Sequence, residues 1–342
     1  MKTSSFISLF EKAARTIKES AEILIVSPNP PDADSISSGL LIHEYFALPW
    51  VNKPHTLFCA GQMPSVNRNP LFKFFGGDLA LFKNSLPPVI PPVAVISDYG
   101  NFRTCGLEPE KFKKTCQFIG FDHHAEPADD FPEGGIQIVD PDASSTTVLL
   151  YHFFGFIGVP ISRRMATYIA LGILTDTGRL TNPKTNSDAL RVLLSCIDKG
   201  APWEEMRSLL QPRISQKTPS VWASASREIV FRGYGEFSIL IAGHKALSSW
   251  GGTRKDAESF LGVMQNIEGV RVAVLALEED GAWKISIRSN IPQEVSATLM
   301  AKTLGGGGHP HMAAAIFTGH PLEAVEILQK ELERQKKQNR RT

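Results

Sequence analysis

Three short apolar runs constrain this chain more than any other feature. Ile23-Leu24-Ile25-Val26, Val93-Ala94-Val95-Ile96 and Phe118-Ile119-Gly120-Phe121 are too short for buried helices and show no polar alternation. Runs of this kind read as strands covered on both faces, the pattern of a parallel sheet. Each leads into a polar segment: 27–34 after the first, Ser97-Asp98 after the second, Asp122-His123-His124 after the third. Phe6, Ile7, Leu9, Phe10, Ala13, Ala14 and Ile17 space an amphipathic helix over 4–20, and further helices are expected over 35–46, 144–156, 162–175 and 186–199. Strands alternating with helices predict an α/β fold, whose chemistry gathers beyond the C-terminal strand ends.

A second unit follows. Pro202, Pro212 and Pro219 break long elements, so the expected division is a first domain over 1–200, a linker over 201–230 and a smaller α/β domain over 231–342. In the latter, 237–242, 270–277 and 283–288 read as strands, and 255–266 and 293–303 as helices. A glycine run at 305–308 precedes an apolar strand near 313–317 and a terminal helix from Pro321. The last stretch, 330–342, has six basic residues against two Glu and reads as a frayed, solvated tail.

With 342 residues, 42% hydrophobic and 21% charged, the chain can bury two cores. A net charge of +1 argues against a protein coated for long duplex DNA and leaves room for a local phosphate groove. Cys59, Cys105, Cys116 and Cys196 form no C-x-x-C pair, so structural zinc is disfavoured and a reducing cytoplasm is expected. No run of eighteen apolar residues is present, so no spanning helix and no membrane partner are expected.

The chemistry-bearing residues fall at element ends. Asp32 and Asp34 point the same way if the backbone is extended, and would repel unless a cation lay between them. They also suit a helix N-cap and a turn. Asp98 directly follows an apolar run, a common loop position. Asp122-His123-His124 is the strongest local signal, because neutral imidazole ligates Mn, Fe, Co or Zn and a neighbouring Asp can fix its tautomer. Adjacent histidines on an extended chain face different ways, so one of the two is expected to bind a metal directly. Asp176-Thr177-Gly178 reads either as a helix stop or as a ligand with hydroxyl support. Downstream, Arg288-Ser289 closes a strand, and Gly305, Gly306, Gly307, Gly308 and His309 follow. Such glycines let the backbone approach an anion, with Arg288 and His309 as further donors, or form a plain flexible loop.

Taken in order, Asp32-Ala33-Asp34, Asp98, Asp122-His123-His124 and Asp176-Thr177-Gly178 resemble the four motifs of the DHH phosphoesterases. Arg288-Ser289 and Gly305–His309 resemble the DHH-associated C-terminal domain, as in the nanoRNase/pAp-phosphatase group and the RecJ-type exonuclease core. The resemblance implies two α/β domains flanking a cleft and a two-metal site, typically Mn²⁺, with Mg²⁺ or Co²⁺ as substitutes. It assigns Asp34, Asp98, His123 and Asp176 to one metal, and Asp32 with a bridging Asp98 to the other. His124 would lie near the substrate phosphate and Asp122 would support it. Arg288, Ser289, Gly306, Gly307, Gly308 and His309 would bind substrate. The implied activity is hydrolysis of a short single-stranded oligonucleotide or a small phosphorylated nucleotide, with a homodimer allowed for. One departure stands out. The family's first motif opens with a His four residues before its first Asp, and Pro28 occupies that position here. Proline offers no side-chain ligand, so the metal at Asp32 is expected to be weakened. A cyclic-dinucleotide phosphodiesterase and a catalytically weak nucleotide-binding protein are the rival readings.

Overall fold

A computed structural model of the chain describes residues 4–64, 70–107, 112, 116–124, 130–210 and 214–339. The chain divides into two compact units, Met1–Gln211 and Pro212–Thr342.

The first unit holds helices α1 (Ser4–Glu19), α2 (Ala33–Phe46), α3 (Thr146–Phe156), α4 (Arg163–Asp176), α5 (Ser187–Asp198) and α6 (Trp203–Leu210). Its strands are β1 (Ile23–Ser27), β2 (His55–Cys59), β3 (Phe82–Lys83), β4 (Val93–Ser97), β5 (Gln117–Asp122) and β6 (Ile136–Val139). They form one sheet in the order β3-β2-β1-β4-β5-β6, parallel throughout. Period-two alternation explains the unbroken apolar runs. Ile23, Ile25, Val93, Val95, Ile119 and Phe121 enter the core shared with α1 to α5, while Leu24, Val26, Ala94, Ile96 and Phe118 enter a second core on the opposite face. Helix starts follow local chemistry, with Ser145, Ser162 and Asn186 side chains capping α3, α4 and α5. The short strands β2, β3 and β6 have no counterpart in the sequence reading. Two of them, β3 and β6, form the sheet's edges.

The second unit holds α7 (Thr218–Ser226), α8 (His244–Ser249), α9 (Arg254–Gln265), α10 (Ala297–Lys302) and α11 (Pro321–Asn339). Its strands are β7 (Val230–Arg232), β8 (Phe237–Ala242), β9 (Val272–Glu279), β10 (Ala282–Ser289), β11 (Gly307–His309) and β12 (Met312–Phe317). Their order is β11-β12-β10-β9-β8-β7, with β8 and β9 parallel and the other pairs antiparallel. Alternate residues of β8 and β9 again feed two cores, one with α10 and α11, the other with α7, α8 and α9.

Two expectations need correction. The stretch 201–230, read as a linker, carries α6 and α7, and Val221 and Ala225 of α7 join a core of the second unit. Its residues 211–213, including Pro212, lie outside the described residues. The stretch read as a frayed tail is helical as far as Asn339. Leu328 and Leu332, one turn apart, are buried, Gln335 accepts from the Ser296 amide (2.7 Å), and Lys336 pairs with Glu236. Basic surface residues hid this apolar stripe. Residues 340–342 lie outside the described set. Among the described residues no helix is long and apolar enough to cross a membrane.

Candidate active site

Strand order reverses between β1 and β4, and the loops leaving the C-terminal ends of such a pair splay apart to leave a crevice. A cavity of about 180 Å³ opens there, lined by Pro28, Asn29, Asp32, Asp98, Tyr99 and His124 among others. Asp32 caps α2, its Oδ1 accepting from the Ser35 amide (2.9 Å), so the N-cap reading holds while the residue also borders the cavity.

Asp34, in the first turn of α2, is fully buried. Its carboxylate accepts from the amides of Thr146 (2.7 Å) and Thr147 (3.3 Å), at the N-terminus of α3. Orphan helix amides satisfy a buried carboxylate well. Thr146 also donates its hydroxyl to Asp98 Oδ1 (3.0 Å), so one residue ties two acids together. Gly172 of α4 makes room for this arrangement. A Cβ there would sit 2.2 Å from Asp34 Oδ1 and 2.2 Å from Thr147 Oγ1.

His123, at the end of β5, is the convergence point. Its Nε2 lies 3.0 Å from Asp176 Oδ2, 3.5 Å from Asp98 Oδ1 and 4.0 Å from Asp34 Oδ2. Its Nδ1 faces the Ala143 carbonyl at 3.2 Å, which assigns a proton to Nδ1 and turns Nε2 towards the acids. Asp176 is the last residue of α4, and Gly178 beyond it is left-handed (φ 56°), so the helix stop also places a carboxylate beside His123. The adjacent His124 is held by a different acid. Its Nδ1 bonds Asp122 Oδ1 (2.7 Å), and Asp122 also accepts from the amides of Gly100 (2.9 Å) and His123 (2.8 Å). Asp122 is therefore a buried bracket for the DHH segment and the loop after β4.

Burial and the facing charge of Asp176 push the Asp34 carboxyl up to about 7. Burial and the charges of Asp34, Asp32 and Asp176 hold Asp98 well above the usual carboxylate range. Burial alone would lower His123, but its hydrogen bond to Asp176 and the charge of Asp34 outweigh that and raise it. Crowded acids of this kind are costly unless a cation joins them. Three carboxylates and an imidazole form the oxygen-rich, partly nitrogen donor set that suits Mn²⁺, Mg²⁺ or Co²⁺. Ligand atoms of Asp34, His123 and Asp176 lie within 4.8 Å of one another, as do those of Asp98, His123 and His124. The residues fit a metal centre.

In the second unit, Arg288 projects from β10 opposite Met312 of β12. Its guanidinium meets no carboxylate among the described residues, and burial pushes it below its ordinary value. Ser289 is different: it is buried and its hydroxyl donates to the Val295 carbonyl (2.6 Å). The second half of the glycine run enters the edge strand β11, with Gly307 opposite Ala314 and Gly308 opposite Ala313. His309 and His311 stack across the hairpin turn at 5.8 Å between ring centroids.

The sequence reading missed Thr146, Thr147, Gly172 and Lys184. The run Ser144-Ser145-Thr146-Thr147 was a usable signal, since four hydroxyl residues ahead of an apolar helix exceed what one N-cap requires. Gly172 and Lys184 carried none.

The fold and site, with the family match that follows, define the class, a metal-dependent phosphoesterase whose first unit is built on a parallel sheet. The chain belongs to the DHH family. Residues 22–173 match the DHH family N-terminal domain and residues 239–338 match the DHHA1 domain. The bifunctional oligoribonuclease and PAP phosphatase NrnA of Thermus thermophilus is 30% identical over 325 residues, which span 91% of this chain and 90% of that protein. The Bacillus subtilis protein of the same name is 25% identical over 305 residues, 88% of this chain and 91% of its own. The crystal structure of an exopolyphosphatase-related protein from Bacteroides fragilis shares the fold, with a TM-score of 0.74 at 20% identity over 96% of each chain.

Proposed function

We propose that this protein hydrolyses short oligoribonucleotides and small phosphorylated nucleotides, with Mn²⁺ as its preferred cation. The observation that carries the reading is the meeting of Asp34, Asp98 and Asp176 around His123 Nε2. These four would hold the principal metal, and Asp98 would be shared with a second bordered by Asp32. A divalent cation there lowers the pKa of bound water and offsets charge on phosphoryl oxygens. The chain's own residues do the rest. Asp122 fixes the His124 ring through Nδ1, and we assign the other face of that ring to the substrate phosphate. Thr146 and Thr147 hold Asp34 in its ligating pose. On the second unit, Arg288 of β10 and Gly306, Gly307, Gly308 and His309, in or just before the edge strand β11, are the groups we assign to nucleotide binding. We leave Ser289 out of that contact, because its hydroxyl is already engaged.

Pro28 borders the cavity and has no side-chain donor, so it offers no side-chain ligand to a cation at Asp32. We expect one tightly held metal and a second that is weak. In Mn²⁺ titrations followed by calorimetry, Pro28→His should add a second tight site, and unchanged stoichiometry and affinity would sink that assignment.

The decisive assay is a panel of pAp, dinucleotides, cyclic dinucleotides and longer single strands with Mn²⁺, Mg²⁺ or Co²⁺. Turnover of pAp or dinucleotides, abolished by Asp98→Ala, is the expected result. Nucleotide binding without turnover at any cation concentration would replace the enzyme with a binding protein, and preference for cyclic dinucleotides would replace the substrate class.

A further inference from the structure

Lys184 is a cationic side chain beside the acidic centre that the reaction scheme leaves unused. Its Nζ lies 3.4 Å from His123 Nδ1, on the side of the ring away from the three carboxylates. The loop that carries it is clasped to the centre. The Asn182 amide group donates to the Asp176 carbonyl (2.8 Å), Asn182 Oδ1 accepts from the Lys184 amide (3.0 Å), and Asn186 donates to the Asp142 carbonyl (2.8 Å). Lys184 is half-buried, so its charge is only partly screened by solvent. Nδ1 already directs its proton at the Ala143 carbonyl, and an ammonium at that nitrogen therefore meets a donor rather than an acceptor. The contact is electrostatic rather than a good hydrogen bond, yet the loop holds the cation in place.

We propose that Lys184 is an internal counter-cation that sets how tightly the metal is held, acting through His123 as a positioning residue. Without metal, its charge offsets the field of Asp34, Asp98 and Asp176 and keeps the cluster assembled. With metal, the same charge opposes a second positive charge on the far side of the imidazole. Both effects make metal binding less favourable. A centre held in this way trades affinity for ready exchange.

The proposal rests on a divalent cation binding at this cluster, and the test separates the two claims. Mn²⁺ alone is titrated into metal-stripped full-length protein and its Lys184→Met, Lys184→Gln and Lys184→Arg variants by calorimetry at pH 8. Coulomb interaction across the width of the imidazole at a partly screened site predicts about tenfold tighter Mn²⁺ binding for both neutral variants. Lys184→Arg should stay within about twofold of wild type, because it keeps the charge. The thermal midpoint of the metal-free neutral variants should fall, and Mn²⁺ should restore it. If Lys184 merely braced its loop, neutral variants would bind Mn²⁺ more weakly, and that sign overturns the proposal. Unchanged affinity with a raised KM would assign Lys184 to substrate and overturns it equally. If wild-type protein takes up no Mn²⁺, the metal-centre reading itself fails. Should Lys184→Met not fold, Lys184→Gln carries every arm.

Discussion

Thr146 shows how much of the centre depends on a residue that ligates nothing. Its amide holds Asp34 and its hydroxyl holds Asp98, both buried acids. Groups that orient ligands in this way are worth roughly 10- to 100-fold in metal affinity or activity. Thr146→Val should lower Mn²⁺ affinity and kcat/KM by about that range, with Thr146→Ser restoring most of it in the same assays. The acids have a pH consequence as well. A carboxyl whose folded pKa is raised costs stability as pH rises between its unfolded and folded values. For Asp34 that window runs from the ordinary value of 3.8 to about 7. The metal-free protein should therefore lose part of its stability across that window, and Asp34→Asn should flatten that segment of a Tm-against-pH curve. The acids were readable because carboxylates closing apolar strands are chemically conspicuous. Thr146 was not, because a hydroxyl run before a helix has an ordinary explanation in capping.

Two elements depend on what glycine omits. In α4, Gly172 lets the helix pass Asp34 and Thr147 at a distance no side chain permits. Gly172→Ala should destabilise the protein by about 1–3 kcal/mol and weaken Mn²⁺ binding, read by denaturant unfolding and calorimetry. The four glycines at 305–308, two of them on β11, are unequal. A Cβ at Gly306 would lie 2.2 Å from the Ala314 carbonyl oxygen, and one at Gly308 would lie 2.7 Å from Ala313 Cα, whereas Gly307 has open space around it. Gly306→Ala and Gly308→Ala should disturb the hairpin itself. Gly307→Ala should leave the thermal midpoint unchanged, so weaker nucleotide binding in that variant alone would report ligand contact. Spacing marked this segment as close-approach backbone, and strand pairing decided that much of the closeness is to β12. The helix α11 makes the complementary point, since its buried Leu328 and Leu332 were legible at one-turn spacing but were outweighed by the basic residues around them.

At the scale of the molecule, each unit has its own pair of cores, so the two should be separable in stability. A fragment of residues 212–342 is expected to melt cooperatively by circular dichroism, and a broad, non-cooperative trace would count against independent cores. Stripping metal with a chelator should abolish turnover and lower the melting of the first unit while leaving that fragment untouched. By itself the sequence determined element types, the two-unit α/β class and the identity of the acids and histidines, because side-chain periodicity and chemical type are local properties. Strand order is not local. Only the tertiary structure set β1 beside β4 and brought the end of α4 to His123, and that placement put Asp34, Asp98 and Asp176 within reach of one imidazole nitrogen. It also spent the Ser289 hydroxyl on a turn, opened the space beside Gly172 and set Lys184 behind His123, because packing between distant segments assigns each side chain its neighbours.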